Sequence, residues 1–556
     1  MKKTTKILLV VLLLIELAAQ LYLSSADSQT TDEAVHVSAG YTYWTKGDYR
    51  FNPEHPPLVK LLSALPLVFM DLKTPDDAIY WSKSGDFFYD NWRENRAYGE
   101  DFFYALGNNA KAMVFWSRLA SVLITLVLGL MIFLLANKFY GEKIGLLALF
   151  VYVFNPTILA HGHLVTTDIA VSLGFILTLY SLYLMQKNKS WKYVIFMSLS
   201  LAVAFLSKFT AVILVPCIAA QLIYWLIAKK IKWREFWLLC LKIVCSALLL
   251  ILIIFSVYGF DFRPAGDMSA LKQQIINQNP AVDRALVDKI DSFGSIKNVL
   301  VPKDFFKGMV LVLGHTRAGH DSYLLGQTSR TGWWYYFPVV FTAKNSLFLL
   351  ILIPPAIFYV FRKKDKTGFA SMLLIFSAVY FLSAMTSKAD LGIRHILPIF
   401  PLIFILISRL FIGSKKRYSH FLYIMFAAIL LEVIIAFPFY ISYFNQAFGW
   451  QKNGYKIASD SNADWGQDLV RIKKFIDSNK DEINHCENLF MDYGWDGKDS
   501  LNYYGIHGIA ADNLSCQSKG CLITGSTSYV DPKNSWLWER GIEQRITPST
   551  FFIKLN

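Results

Sequence analysis

Asp32 and Glu33 stand side by side a few residues after the first apolar run of the chain, with His36 one helical turn further on. Asn52-Pro53-Glu54-His55-Pro56-Pro57-Leu58 follows in the same loop. Adjacent carboxylates beside a bilayer are costly unless they have a task or a partner. The chemical task is that of a general base, removing a proton from an acceptor hydroxyl as it attacks a sugar carbon. The structural alternative is that Asp32 caps a helix starting near Glu33.

Asp168 poses the same choice at the end of the turn His161-Gly162-His163-Leu164-Val165-Thr166-Thr167-Asp168. The two histidines of that turn lack further ligands of metal type. No compact DxD motif occurs in the first loop. Although acids of this kind can ligate a divalent cation, no metal is predicted.

A donor whose leaving group is a lipid phosphate needs cations at headgroup depth, where the charge developing on phosphate is stabilised. The basic groups with access to the same side are Lys208, Arg317, Arg330, Lys344, Lys388, Arg394 and His395. Arg394 and His395 enter an apolar run at Leu397-Pro398. Snorkelling to lipid headgroups is their alternative role.

The elements that must position these groups are membrane helices. The chain is 54% hydrophobic and 17% charged, with a mean hydropathy of +0.37, more apolar surface than a soluble globule can hide. About eleven apolar runs are long enough to cross a bilayer: 6–24, 117–137, 144–160, 168–186, 193–209, 210–228, 236–258, 338–361, 369–387, 392–411 and 420–441.

The net charge of +14 excludes no class by itself, but its Lys and Arg residues lie mainly in short links between apolar runs. That pattern fits topology better than nucleic-acid binding. With a cytoplasmic N-terminus every inside link is basic, and the odd number of runs places the C-terminus outside. The loops 25–116 and 259–337 and the segment 442–556 then share that outer side with the candidate residues. The first run is expected to be a retained anchor, being longer than the apolar core of a signal peptide.

Aromatic residues crowd 25–116, predicting helices that lie in the interface. A helix is expected near 268–291. From 442 onward the pattern is that of a small α/β unit, with a helix near 464–479 and strands near 487–492, 521–529 and 550–555. Cys516 and Cys521 are placed for a disulfide on an oxidising side, which leaves Cys486 unpaired.

Several motifs in order resemble one family. Asp32-Glu33, His36, Gly40 and His55-Pro56-Pro57-Leu58-Val59-Lys60 resemble the first outer loop of protein O-mannosyltransferases and their bacterial relatives. Val59 stands where that motif usually has Gly. Asn155-Pro156 with Asp168 resembles the family's second acidic turn. Gly326, Gly332-Trp333-Trp334-Tyr335-Tyr336-Phe337 and Lys344 resemble a segment of bacterial lipid-carrier-dependent glycosyltransferases, with Asn345-Ser346 replacing the usual Thr-Pro. Gly392, Arg394-His395 and Leu397-Pro398 are similar to the later phosphate-side motif. Asp460 to Leu469 is similar to the start of the C-terminal region.

The resemblance implies a GT-C fold: a membrane domain over 1–441, interfacial helices in the first outer loop, and an extracytoplasmic α/β domain over 442–556. It implies a polyprenyl-phosphate sugar donor, a protein Ser/Thr or envelope glycolipid acceptor, and inverting displacement at a multi-pass inner-membrane enzyme. Asp32, Glu33 and Asp168 are the catalytic candidates. His55, Lys208, Lys344, Arg394 and His395 are the substrate-binding candidates. The rival functions are a transporter or flippase, which predicts ionisable groups in mid-helix, and a non-catalytic assembly partner.

Overall fold

The computed structural model describes residues 1–75, 92–263, 276, 301–362, 365, 367–493, 498–511 and 514–555. It is a mainly helical, multi-pass membrane protein. Among the described residues seven helices are long and apolar enough to span a bilayer: Lys3–Ala26, Ala110–Tyr140, Asp168–Lys187, Phe209–Ile227, Trp233–Val257, Ile393–Phe411 and Lys416–Ala436.

The expected count of about eleven is not reached. Three of the predicted runs hold shorter helices, Glu142–Val153 of 12 residues, Lys192–Phe205 of 14 and Phe369–Ala384 of 16. At 1.5 Å per residue the first reaches only about 18 Å. It stops at Asn155-Pro156, where the Asn155 side chain accepts the amides of Thr157 and Ile158 to start the short helix Pro156–His161. A fourth run is a pair, Tyr336–Lys344 and Leu347–Arg362, bent by 118°. The carbonyls released at that bend are taken up: the Asn445 amide donates to Thr342 O and Asn345 O, and the Asn445 backbone N–H to Ala343 O.

Buried ionisable groups do lie within the spanning helices, among them Glu16, Arg118, Lys242 and Glu432. Glu16 is fully buried in the first span and accepts a hydrogen bond from Gln20, which also reaches Ile158 O. This clasps the first span to the turn that leads to Asp168.

The loop after the first span carries helices Thr31–Lys46, Leu58–Ala64 and Trp92–Glu100. Gly40 has no room for a side chain, since a Cβ there would lie 2.1 Å from Lys60 O. The helix expected near 268–291 lies, apart from residue 276, outside the described residues.

The C-terminal segment folds on a five-stranded sheet: β3 (Leu489–Asp492), β4 (Ile509–Ala510), β5 (Cys521–Gly525), β6 (Gln544–Thr547) and β7 (Thr550–Lys554), in the order β4-β3-β5-β7-β6. A separate hairpin, β1 (Ser322–Leu324) with β2 (Gln327–Ser329), precedes it in the chain. β3 pairs in parallel with β4 and β5, while β7 runs antiparallel to β5 and β6. Helix Leu469–Ser478 presents Leu469, Ile472 and Phe475 to this sheet, as its periodicity predicts.

The disulfide joins Cys486 to Cys521, with Cα atoms 5.6 Å apart, and Cys516 is free and exposed. The expected Cys516–Cys521 pairing is therefore corrected. The parallel register sets Leu489 opposite Cys521, which brings Cys486, three residues ahead of β3, within bonding distance.

Candidate active site

Four charged side chains far apart in sequence meet at one end of the helix bundle. Asp32, in the first turn of Thr31–Lys46, accepts a hydrogen bond from Arg394 Nη1 at 2.9 Å. Asp168, the first residue of Asp168–Lys187, accepts one from Lys208 Nζ at 2.6 Å. The same Arg394 nitrogen lies 3.8 Å from the other Asp168 oxygen. All four residues are buried. Neither aspartate is a helix cap: those positions belong to Thr30 and Thr167.

Glu33 points elsewhere. It forms a bidentate pair with Arg118, at 2.8 and 2.6 Å, and accepts from Val165 N and from the Thr30 backbone and hydroxyl. Burial opposes its charge, but Arg118 together with the backbone hydrogen bonds from Thr30 and Val165 outweighs that and holds the carboxyl below its ordinary range. Arg118 also donates to the carbonyls of Ser24, Asp27 and Ser28. The pair therefore sets the exit of the first span and the start of the helix that carries Asp32. Sequence reasoning passed over Arg118, although an arginine within an apolar run signals a buried partner.

His36 lies one turn beyond Asp32. Its Nδ1 is 2.7 Å from Val165 O; a carbonyl only accepts, so Nδ1 carries the proton and Nε2 is left as an acceptor. That Nε2 is buried without a partner among the described residues. Burial, outweighing the attraction of Asp32, lowers the His36 pKa and keeps the ring neutral. The His55 ring meets it edge-on at 4.9 Å, and its Nδ1 is likewise unpartnered. Arg394 Nε, His395 Nε2 and the Asp168 oxygen that faces Arg394 are further buried polar atoms with no hydrogen-bond partner among the described residues. So many orphaned groups around one ion-pair cluster mark a place where a polar ligand completes the hydrogen bonding. Glu54, half-buried in the same loop, is pushed up to about 7 by burial and by the charge of Asp32.

Two other sequence candidates do different work. Lys344 Nζ donates to Ile441 O at 2.7 Å and Asn462 O at 2.6 Å, and lies 4.5 Å from the Phe444 ring centroid. It fastens the C-terminal segment to the bundle. His161 and His163 do not converge: His163 Nε2 lies 3.2 Å from Asp27, whereas His161 meets Trp465. Among the described residues no group of three or more His, Cys, Asp or Glu is placed to hold a metal ion.

The C-terminal segment supplies one wall. Its loop Asp460 to Asp468 docks on the segment after the first span through Ser28 N to Gln467 O and Thr31 N to Trp465 O, and Arg471 of the following helix pairs with Asp27 at 2.7 Å. This puts the Trp465 ring under the Arg394 guanidinium, 4.2 Å from its centroid, a cation–π contact that fixes the arginine between the two aspartates.

Residues 98–259 match the family model of dolichyl-phosphate-mannose-protein mannosyltransferases. The matched stretch contains Arg118, Asp168 and Lys208, and the family is the one that the motifs resemble. Among solved structures, ArnT from Cupriavidus metallidurans in the apo state is similar with a TM-score of 0.47 at 12% identity, over 98% of this chain and 97% of that one. The same protein bound to undecaprenyl phosphate gives 0.45 at 13%, covering 98% of both chains. The oligosaccharyltransferase AglB from Archaeoglobus fulgidus, in complex with an inhibitory peptide and a dolichol-phosphate, gives 0.46 at 12%, over 94% of this chain and 69% of that one. No curated protein matches the chain.

Proposed function

We propose that the protein is a GT-C glycosyltransferase that moves a sugar from a polyprenyl-phosphate donor to an extracytoplasmic acceptor, a protein Ser/Thr or an envelope glycolipid. The observation that carries this reading is the buried cluster in which Arg394 bridges Asp32 and Asp168 beside Lys208. The family match over 98–259 supports the donor class.

In the proposed step the Asp32 carboxylate takes the proton of the acceptor hydroxyl while that oxygen bonds to the anomeric carbon. The bond from that carbon to the phosphate oxygen breaks on the opposite face, and the polyprenyl phosphate leaves with the electron pair, giving inversion. Arg394, Lys208 and His395 receive the phosphate. His36 and His55 offer acceptor nitrogens to sugar hydroxyls. Glu33 acts through Arg118 as a positioning residue, and Asp168 holds Lys208 and Arg394. Lys344 positions the C-terminal wall.

On this reading residues 1–441 form the catalytic membrane domain and 442–556 an extracytoplasmic domain. The N-terminus is cytoplasmic, and the inner membrane is the site of action. The Asp32→Asn variant, assayed in membranes with a polyprenyl-phosphate sugar and acceptor, is expected to be made at normal levels and to lose transfer. Near-normal turnover removes Asp32 as the base.

A further inference from the structure

A second polar site lies at the far boundary of the bundle. Asp168 opens the 20-residue helix Asp168–Lys187 at the candidate active site, and Lys187 closes it. At 1.5 Å per residue the two are about 30 Å apart, the thickness of the hydrocarbon core. Around Lys187 the ends of three helices enclose a cavity of about 210 Å³. Lys230 enters it from the end of Leu214–Ile227, and Asp365 and Gly368 from the turn before Phe369–Ala384.

Among the described residues the charges lining this cavity do not balance. Asp365 is already spent: one oxygen accepts from the Thr367 amide and hydroxyl, the other from the Ala370 amide and the Tyr140 hydroxyl. Its negative charge is further met by Arg409, whose guanidinium lies 4.8 Å from the Tyr140 ring centroid. Arg409 is itself buried, with Nε and Nη1 unpartnered among the described residues.

Lys187 and Lys230 have aromatic neighbours instead. Lys187 lies over Tyr183, while Lys230 lies over Tyr224 and donates to its hydroxyl at 3.2 Å. Among the described residues neither is ion-paired. Buried Trp225 and Met372 give the cavity an apolar wall. Two exposed ammonium groups with no ion-pair partner among the described residues, at headgroup depth beside an apolar wall, match a phosphodiester that continues into hydrocarbon.

We infer that this cavity binds the headgroup of an anionic glycerophospholipid in the leaflet opposite the candidate active site, its phosphate between the amines of Lys187 and Lys230. Net negative headgroups are preferred over zwitterionic ones, because Asp365 has no acceptor capacity left for an ammonium group. The glycerol backbone lies against Trp225 and Met372.

The test uses the full chain in a neutral detergent and reads the thermal midpoint against added phosphatidylglycerol, phosphatidylcholine or sodium phosphate at matched ionic strength. Native mass spectrometry counts the lipid retained. Phosphatidylglycerol is expected to raise the midpoint more than phosphatidylcholine does. The double variant Lys187→Gln/Lys230→Gln should need about tenfold or more lipid for half-saturation and lose the retained adduct, whereas Lys187→Arg/Lys230→Arg should keep both. An equal response in the wild type and the Gln variant overturns the site. Equal effects of the two lipids overturn the anionic preference. A shift reproduced by sodium phosphate alone makes the site one for free anions and overturns the lipid assignment.

Discussion

Replacing Arg118 with methionine would remove five hydrogen bonds from the loop that carries Asp32: two to Glu33 and one each to the carbonyls of Ser24, Asp27 and Ser28. Both partners of the ion pair are sealed from solvent, at 0% and 1% side-chain exposure. Surface screening therefore gives no relief, and the variant leaves a buried carboxylate with only the Thr30 and Val165 donors. Breaking such a pair from one side costs about 3–5 kcal/mol. The double variant Arg118→Met/Glu33→Gln buries no charge and keeps an N3 side chain that can close the capping box with Thr30. It should therefore lose clearly less than the sum of the two single variants.

Denaturant titration in mixed micelles, followed by helical circular dichroism, gives the stabilities of all four proteins, and transfer activity is measured alongside. Arg118→Met should also slow transfer, because Asp32 is the residue before Glu33. A cost below about 1 kcal/mol for the single variant, or strict additivity in the double, would refute the assignment of this pair as the anchor of the first loop.

His36→Asn keeps an amide donor for Val165 O but removes the Nε2 acceptor. It should leave the thermal midpoint unchanged and slow transfer about two- to tenfold, the worth of one neutral hydrogen bond; unchanged transfer dismisses a substrate role for His36. Glu54 gives a pH signature. Its folded value of about 7 lies above the ordinary 4.5, so the native state holds this proton more tightly than the unfolded chain does. The stability it contributes is complete below about 4.5 and is lost as pH rises through about 7. The Glu54→Gln variant should therefore gain in midpoint relative to the wild type between pH 5 and 8, and parallel curves contradict this. Cys486→Ser opens a loop with a sequence separation of 35, which chain entropy values at about 4 kcal/mol. Cys516→Ser should cost nothing measurable, and equal losses from the two variants would reverse the pairing.

Hydropathy and periodicity reach far into this protein because they are local properties. The apolar runs, the amphipathic helix with Leu469, Ile472 and Phe475, and three of the C-terminal strands can be placed from neighbouring residues alone. So can the placement of Asp32 and Asp168 at the ends of apolar runs, where each lies in the first turn of a helix. Local pattern misjudges spans that break internally. A run such as 144–160 reads as continuous, yet Asn155-Pro156 supplies a helix stop and a new start inside it.

Partner choice is not local. Asp32 and Arg394 are separated by 362 positions in the chain, and only the convergence of helix ends selects that arginine over the other candidate cations. The same convergence gives Glu33 to Arg118 and leaves the adjacent Asp32 for the site, a division that two neighbouring carboxylates do not announce. It turns Lys344 from a phosphate candidate into a fastener for Ile441 and Asn462. It also gives Cys521 to Cys486, because strand register places Cys486 in reach while Cys516 lies on an exposed loop. Residue type and the placement of the apolar runs were thus determined by the sequence itself, through the free energy of transfer between water and lipid. The pairing of each charge was decided by the tertiary structure, because an ion pair depends on the distance between atoms in space.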